Sequence, residues 1–173
     1  LPAAHDRKRG NLIVKNILTI AGRQFRSYFN GPVAYIVICI VMLTLGFFFW
    51  KTFFLFGRAS AREMFRWLGL ILVFALPALT MGLLAEEKRT GTIELLITMP
   101  VTEAQVIIGK FLGVFGLYAV LLLLTLSYPI SISTLGDLDW GPVWGGYLGL
   151  VLQGGAILAI GLMASSWTDN QLI

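Results

Sequence analysis

The stretch AEEKRTGTIELLITMPV, residues 85–101, decides how this chain is read. Its run Glu86-Glu87-Lys88-Arg89 stands between two long apolar segments that carry no charge at all. A chain this hydrophobic keeps such a block only where it meets water, so the run marks a membrane exit. The piece that follows is amphipathic, with Ile93, Leu95, Leu96 and Ile97 around Glu94. It offers a surface on which a soluble partner can dock. The plainer alternative is a loop whose charges only fix topology.

Working outward, the 173 residues are 57% hydrophobic and 13% charged, with a mean hydropathy of +0.83. A soluble domain has roughly 45–50% apolar and about 25% charged residues. The apolar residues also come in uncharged blocks, which a core folded in water does not need. Four such blocks are long enough for a bilayer core of about 30 Å, which takes roughly 20 helical residues. They are residues 33–56, whose one charge is Lys51 near the end, 67–85, 111–135 and 143–166. The fold class expected is all-α, a polytopic transmembrane helical bundle. Pro77 and Pro129 lie inside these runs, where proline kinks a helix, as a gating hinge or as a packing bend.

Residues 1–10 read as a polar tail and residues 11–32 as an amphipathic helix with its turn. From Leu12 to Phe29, Lys15, Thr19, Arg23 and Arg26 share a narrow face with Asn16 and Ser27. Ile13, Val14, Ile17, Leu18, Ala21, Phe25, Tyr28 and Phe29 cover the other side. Leu12 and Gln24 violate the pattern. A cationic and apolar helix just before a span fits one lying flat in the membrane interface. Asn30-Gly31-Pro32 then turns the chain.

Loop charges set an orientation. Nine basic residues flank the first span or lie between the second and third: Arg7, Lys8, Arg9, Lys15, Arg23, Arg26, Lys88, Arg89 and Lys110. Lys51, Arg58, Arg62 and Arg66 lie on the opposite side, and the last loop holds only Asp137 and Asp139. This places the N-terminus and the loop of residues 86–110 in the cytoplasm. Within that loop Thr90-Gly91-Thr92 punctuates the end of a helix and Met99-Pro100 stops the apolar cluster. Thr102 with Gln105 three residues on has the spacing of a capping box. The short helix so enclosed either transmits force from a soluble partner or rests as an interfacial turn on lipid headgroups.

The segment LLAEEKRTGTIELLITMPVTEAQVIIGKF, residues 83–111, resembles the cytoplasmic loop of type-2 ABC transporter permeases, most closely the branch with gliding-motility permeases. Residues 16–36, NILTIAGRQFRSYFNGPVAYI, are similar to that family's elbow helix. Gln24 departs from the pattern, standing where the resemblance implies an acidic residue. The resemblance implies six spans. This chain supplies four, in a transmembrane domain of residues 33–173, and so reads as a C-terminally truncated permease. It further implies an exporter of the cell inner membrane that pairs with a second permease subunit, as a homo- or heterodimer. Its ATPase subunit would hold ATP and Mg, and Glu86, Glu87, Lys88, Arg89, Thr92, Glu94 and Leu95 would form the coupling loop.

Other chemistries find no residues to use. The chain has one histidine, His5 in the tail, and one cysteine, Cys39 in an apolar run, so no cysteine or histidine metal cluster and no catalytic triad is expected. Gly109-Lys110 lacks the upstream glycine of a phosphate-binding loop. The spans hold no carboxylate for a proton or sodium relay. No basic patch interleaved with aromatics suggests nucleic acid. A membrane enzyme is disfavoured, and no cofactor is expected in this chain. Gly141, Gly145 and Gly149 recur every four residues, with Gln153 continuing the series. Such small residues allow close helix packing, expected here within one subunit in preference to a dimer interface. The competing reading of the whole is a membrane scaffold or permease remnant without transport.

Overall fold

A lipid-embedded backbone must satisfy its own polar groups, and uncharged apolar runs do so as helices. The computed structural model describes residues 2–56, 61–90, 102–135 and 139–169, and these are helical apart from short joints. The helices are α1 (Pro2–Asn30), α2 (Val33–Phe56), α3 (Ala61–Thr90), α4 (Glu103–Thr125), α5 (Ser127–Leu135) and α6 (Trp140–Asp169). Four stretches are long and apolar enough to cross a membrane: Val33–Lys51, Arg62–Thr80, Ala104–Thr134 and Trp140–Ala164. The chain is therefore an all-α polytopic bundle. Leu45, Leu68, Leu72, Leu76, Leu117, Tyr118, Leu121 and Leu158 form its core. Phe47, Phe74, Leu148, Leu152 and Met163 are largely exposed. In water that surface would be a liability; against lipid tails it carries no penalty.

Helix α1 begins at Pro2, a residue suited to the first helical position, and so takes in the residues read as a separate tail. It ends at Asn30, and α2 starts after the Gly31-Pro32 turn. The helix is held on α4 by a stripe of glycines. A Cβ placed on Gly109 would meet Ile20 at 2.7 Å and the Ile17 carbonyl at 3.3 Å. One on Gly113 would meet Gln24 at 2.6 Å and the Ala21 carbonyl at 3.1 Å, and one on Gly116 would meet Phe25 at 3.0 Å. Successive turns of α1 thus meet successive turns of α4, and the two run in the same direction. The amphipathic pattern alone puts α1 flat in the interface. Over Ile17–Phe25 it follows α4, because the glycines let the backbones approach.

The third span is two helices. Leu126 is a turn between α4 and α5, its N–H bonded to the Leu123 carbonyl at 3.2 Å. Pro129 has no N–H to give the Thr125 carbonyl four residues back, and the break lies within that turn. The kink expected at Pro129 is therefore a break just before it. Tyr128, beside the break, reaches α2: its hydroxyl donates to the Met42 carbonyl at 2.9 Å, and its ring lies 5.4 Å from Phe49. Pro77, by contrast, leaves α3 continuous. Thr80 Oγ1 donates to the Pro77 carbonyl at 2.9 Å.

Candidate functional site

The charged run closes α3. This helix has 30 residues, about 45 Å at 1.5 Å per residue, against a bilayer core of about 30 Å. The helix continues past the apolar run that closes at Ala85 and ends at Thr90. Glu86, Glu87, Lys88 and Arg89 sit on that continuation, within the last turns. They are thus on the same continuous helix as the span, at the end of a helix as the sequence placed them. Thr92, Glu94 and Leu95, with the expected short helix, lie outside the described residues. The chain is described again at Thr102, the N-cap residue of α4 with φ −79° and ψ 149°. The capping box does not form: the Thr102 side chain makes no cap hydrogen bond, and Gln105 Oε1 is buried without a partner among the described residues. The backbone carbonyl of Thr102 takes the first helical bond instead, from Gln105 N at 3.0 Å.

Both helices that carry the loop are clamped to α6. On α3, Gly69 gives its carbonyl to Gln153 Nε2 at 3.2 Å. Phe65 packs where a Cβ on Gly146 would come within 2.6 Å of its ring, and Thr80 occupies the same position over Gly161 at 2.7 Å. On α4, the Tyr118 hydroxyl donates to the Leu150 carbonyl at 2.6 Å, and its ring covers Gly154. The turn Leu150–Gly154 of α6 is therefore the place where α3 and α4 are held by one helix. A second link follows about two turns further along α4, where Thr125 Oγ1 lies 3.2 Å from the Tyr147 hydroxyl. Tyr147 in turn meets the edge of Phe65, centroids 5.1 Å apart.

The small-residue face is divided. Gln153 packs on α3, but among the described residues a Cβ on Gly145 or Gly149 would meet nothing within 4 Å, and one on Gly141 only Asp139 Oδ1 at 3.3 Å. Four residues turn a helix by about 40° more than a full circle, so Gly141 and Gln153 point roughly 120° apart. The close contacts fall to Gly146, Gly154 and Gly161 instead. Asp139 accepts from Gly141 N at 3.0 Å and so caps the start of α6. Sequence reasoning also missed Tyr118 and Gly154. A lone tyrosine hydroxyl inside an apolar span needs an acceptor, and that was the available signal.

Among the described residues no group of three or more histidine, cysteine or acidic side chains could hold a metal. No curated protein and no solved structure matches the chain. Residues 64–173, covering α3 to the end of the chain and well over half of it, match the family model described as ABC-2 family transporter protein.

Proposed function

The chain belongs to the ABC-2 transporter family, and from that premise we propose that it is the membrane-spanning permease subunit of an ATP-driven exporter. ATP would be hydrolysed, with Mg, on a separate ATPase subunit that docks on the cytoplasmic loop of residues 86–110. The excess of basic residues on that side supports this orientation. The chain itself does no enzymatic chemistry in this reading. It moves its substrate by shifting helices between inward and outward access.

The observation that carries the reading is the uninterrupted course of α3 from its span to the charged run at Thr90. A push on Glu86–Arg89 reaches the bilayer through a rigid rod, and the α6 clamp at Gly69 and Gln153 passes it on. Leu95 and Leu96 beside Glu94 supply the apolar anchor and charged rim by which a small interface gains affinity and register. A second permease subunit fits the open face of Gly141, Gly145 and Gly149, against which no described helix packs.

The test is the ATPase activity of the reconstituted complex. Wild-type permease is expected to stimulate it, and replacing Glu94 and Leu95 together by Ala to abolish the stimulation while membrane insertion stays intact. Full stimulation by the double variant would return the loop to a purely topological role. Absence of any ATPase partner in the purified wild-type complex would favour the scaffold reading.

A further inference from the structure

The apolar side of α1 is larger than its docking on α4 uses. Ile17, Ile20, Ala21, Gln24 and Phe25 face α4 or its glycines. Ile13, Val14 and Leu18 are exposed, Leu18 by 61%. Beside them Lys15, Arg23 and Arg26 are exposed as well, and among the described residues no carboxylate pairs with them. Along the chain there is no acidic residue between Asp6 and Glu63. Val14, Lys15, Leu18 and Thr19 line a shallow groove, so aliphatic walls and a cation meet at one place.

We propose that this outer face of α1 is a binding surface for anionic phospholipids. Its cations Lys15, Arg23 and Arg26 match a negatively charged headgroup layer, and the exposed Val14 and Leu18 lie beside them. Arg26 and Arg23 stand about two and three helical turns before the span that begins at Val33. Their long side chains reach a headgroup layer while their stems cover apolar surface. The glycine stripe on α4 fixes which way the face looks. With Gln24 and Phe25 inserted at Gly113 and Gly116, α1 cannot roll its cations toward the bundle. A zwitterionic headgroup would leave their charge unmatched, so the face selects for net negative lipid. Electrostatic attraction to anionic lipid adds up to roughly five-fold per cation near the surface.

The proposal is tested with the full chain in phosphatidylcholine vesicles holding a minor fraction of phosphatidylglycerol. Spin-labelled lipids of both headgroups report which one the protein retains. A several-fold preference for phosphatidylglycerol is expected, falling toward parity in a K15Q/R23Q/R26Q variant and in high salt, and surviving in an R62Q/R66Q control. Parity in the wild type, or a preference unchanged in the triple variant, overturns it. Should the triple variant fail to fold, a photoreactive side chain at Thr19 of the otherwise unaltered chain decides. Capture of phosphatidylglycerol over phosphatidylcholine there, without selectivity at Leu148, supports the site. Equal capture at both positions removes it.

Discussion

Tyr118 lies across Gly154 where α4 meets α6, and its hydroxyl donates to the Leu150 carbonyl, one turn before that glycine. Tyr128 repeats the arrangement on α2, over Gly46, with its hydroxyl donating to the Met42 carbonyl. In both pairs the acceptor stands four residues before the glycine. That carbonyl already accepts the glycine's own N–H within the helix. It keeps a second lone pair, which a side chain at the glycine position would flank. Without a Cβ there, the tyrosine ring can lie flat enough for its hydroxyl to reach the oxygen.

Gly154→Ala puts a methyl into the ring of Tyr118, with no open space to yield. The expected cost is about 1–3 kcal/mol, the range for overpacking a filled core. Gly46→Ala costs less, because its Cβ would meet only the Tyr128 hydroxyl, at 3.0 Å, the far end of a side chain. Thermal unfolding in detergent should rank the two in that order. An equal loss, or the reverse order, contradicts the geometry.

Tyr118→Phe removes the hydroxyl and keeps the ring. Interhelical hydrogen bonds in membranes contribute about 1 kcal/mol, and the Leu150 carbonyl retains its helical partner. A loss of that size is expected in the same unfolding measurement, smaller than for Gly154→Ala. A larger loss would show that the hydroxyl, and not the ring over Gly154, holds α4 to α6.

Gly145→Leu and Gly113→Leu separate the open face from the packed one. A Cβ at Gly145 meets nothing within 4 Å among the described residues, so folding yield should stay at the wild-type level. Leucine at Gly113 should push α1 from α4, and a spin label at Ile20 should become mobile. If Gly145→Leu lowers assembly while leaving the monomer stable, its face meets a second subunit. If it lowers the stability of the isolated chain, the face is packed inside it.

The spans were legible because an uncharged run of sufficient length leaves a backbone few alternatives in lipid. The Asn30-Gly31-Pro32 boundary was legible because proline and glycine stop helices locally. Which glycines pack was not legible. Gly145 and Gly146 are neighbours in sequence and opposites in space: one faces nothing, the other faces Phe65. The difference lies in the partner helix, which periodicity along one helix cannot supply. Gln24 makes the same point. It broke the amphipathic pattern, yet its aliphatic stem is what fills the notch at Gly113. Pro129 marked a disturbance correctly, but only the backbone shows that it separates α4 from α5 at Leu126. At the candidate site, Glu86 to Arg89 could be placed from sequence at a helix end. That the helix of that end runs on unbroken from a span held to α6 at Gly69 and Thr80 required the structure.

Ala85→Pro tests the rod directly. Ala85 lies on α3, one residue before the charged run. Proline there removes the helical bond to residue 81, and its ring clashes with the carbonyl of that turn, a change that kinks or breaks a helix. The residues available to a partner are unchanged, so the ATPase subunit should still bind. What should fail is transmission: stimulation of ATP hydrolysis by the permease is expected to drop several-fold. Ala85→Ser, which continues the helix, should keep both binding and stimulation. Loss of binding in Ala85→Pro would place Ala85 in the docking surface itself. Binding with undiminished stimulation would mean that the signal does not travel through α3, and would shift the coupling route to α4 and its Tyr118 link to α6.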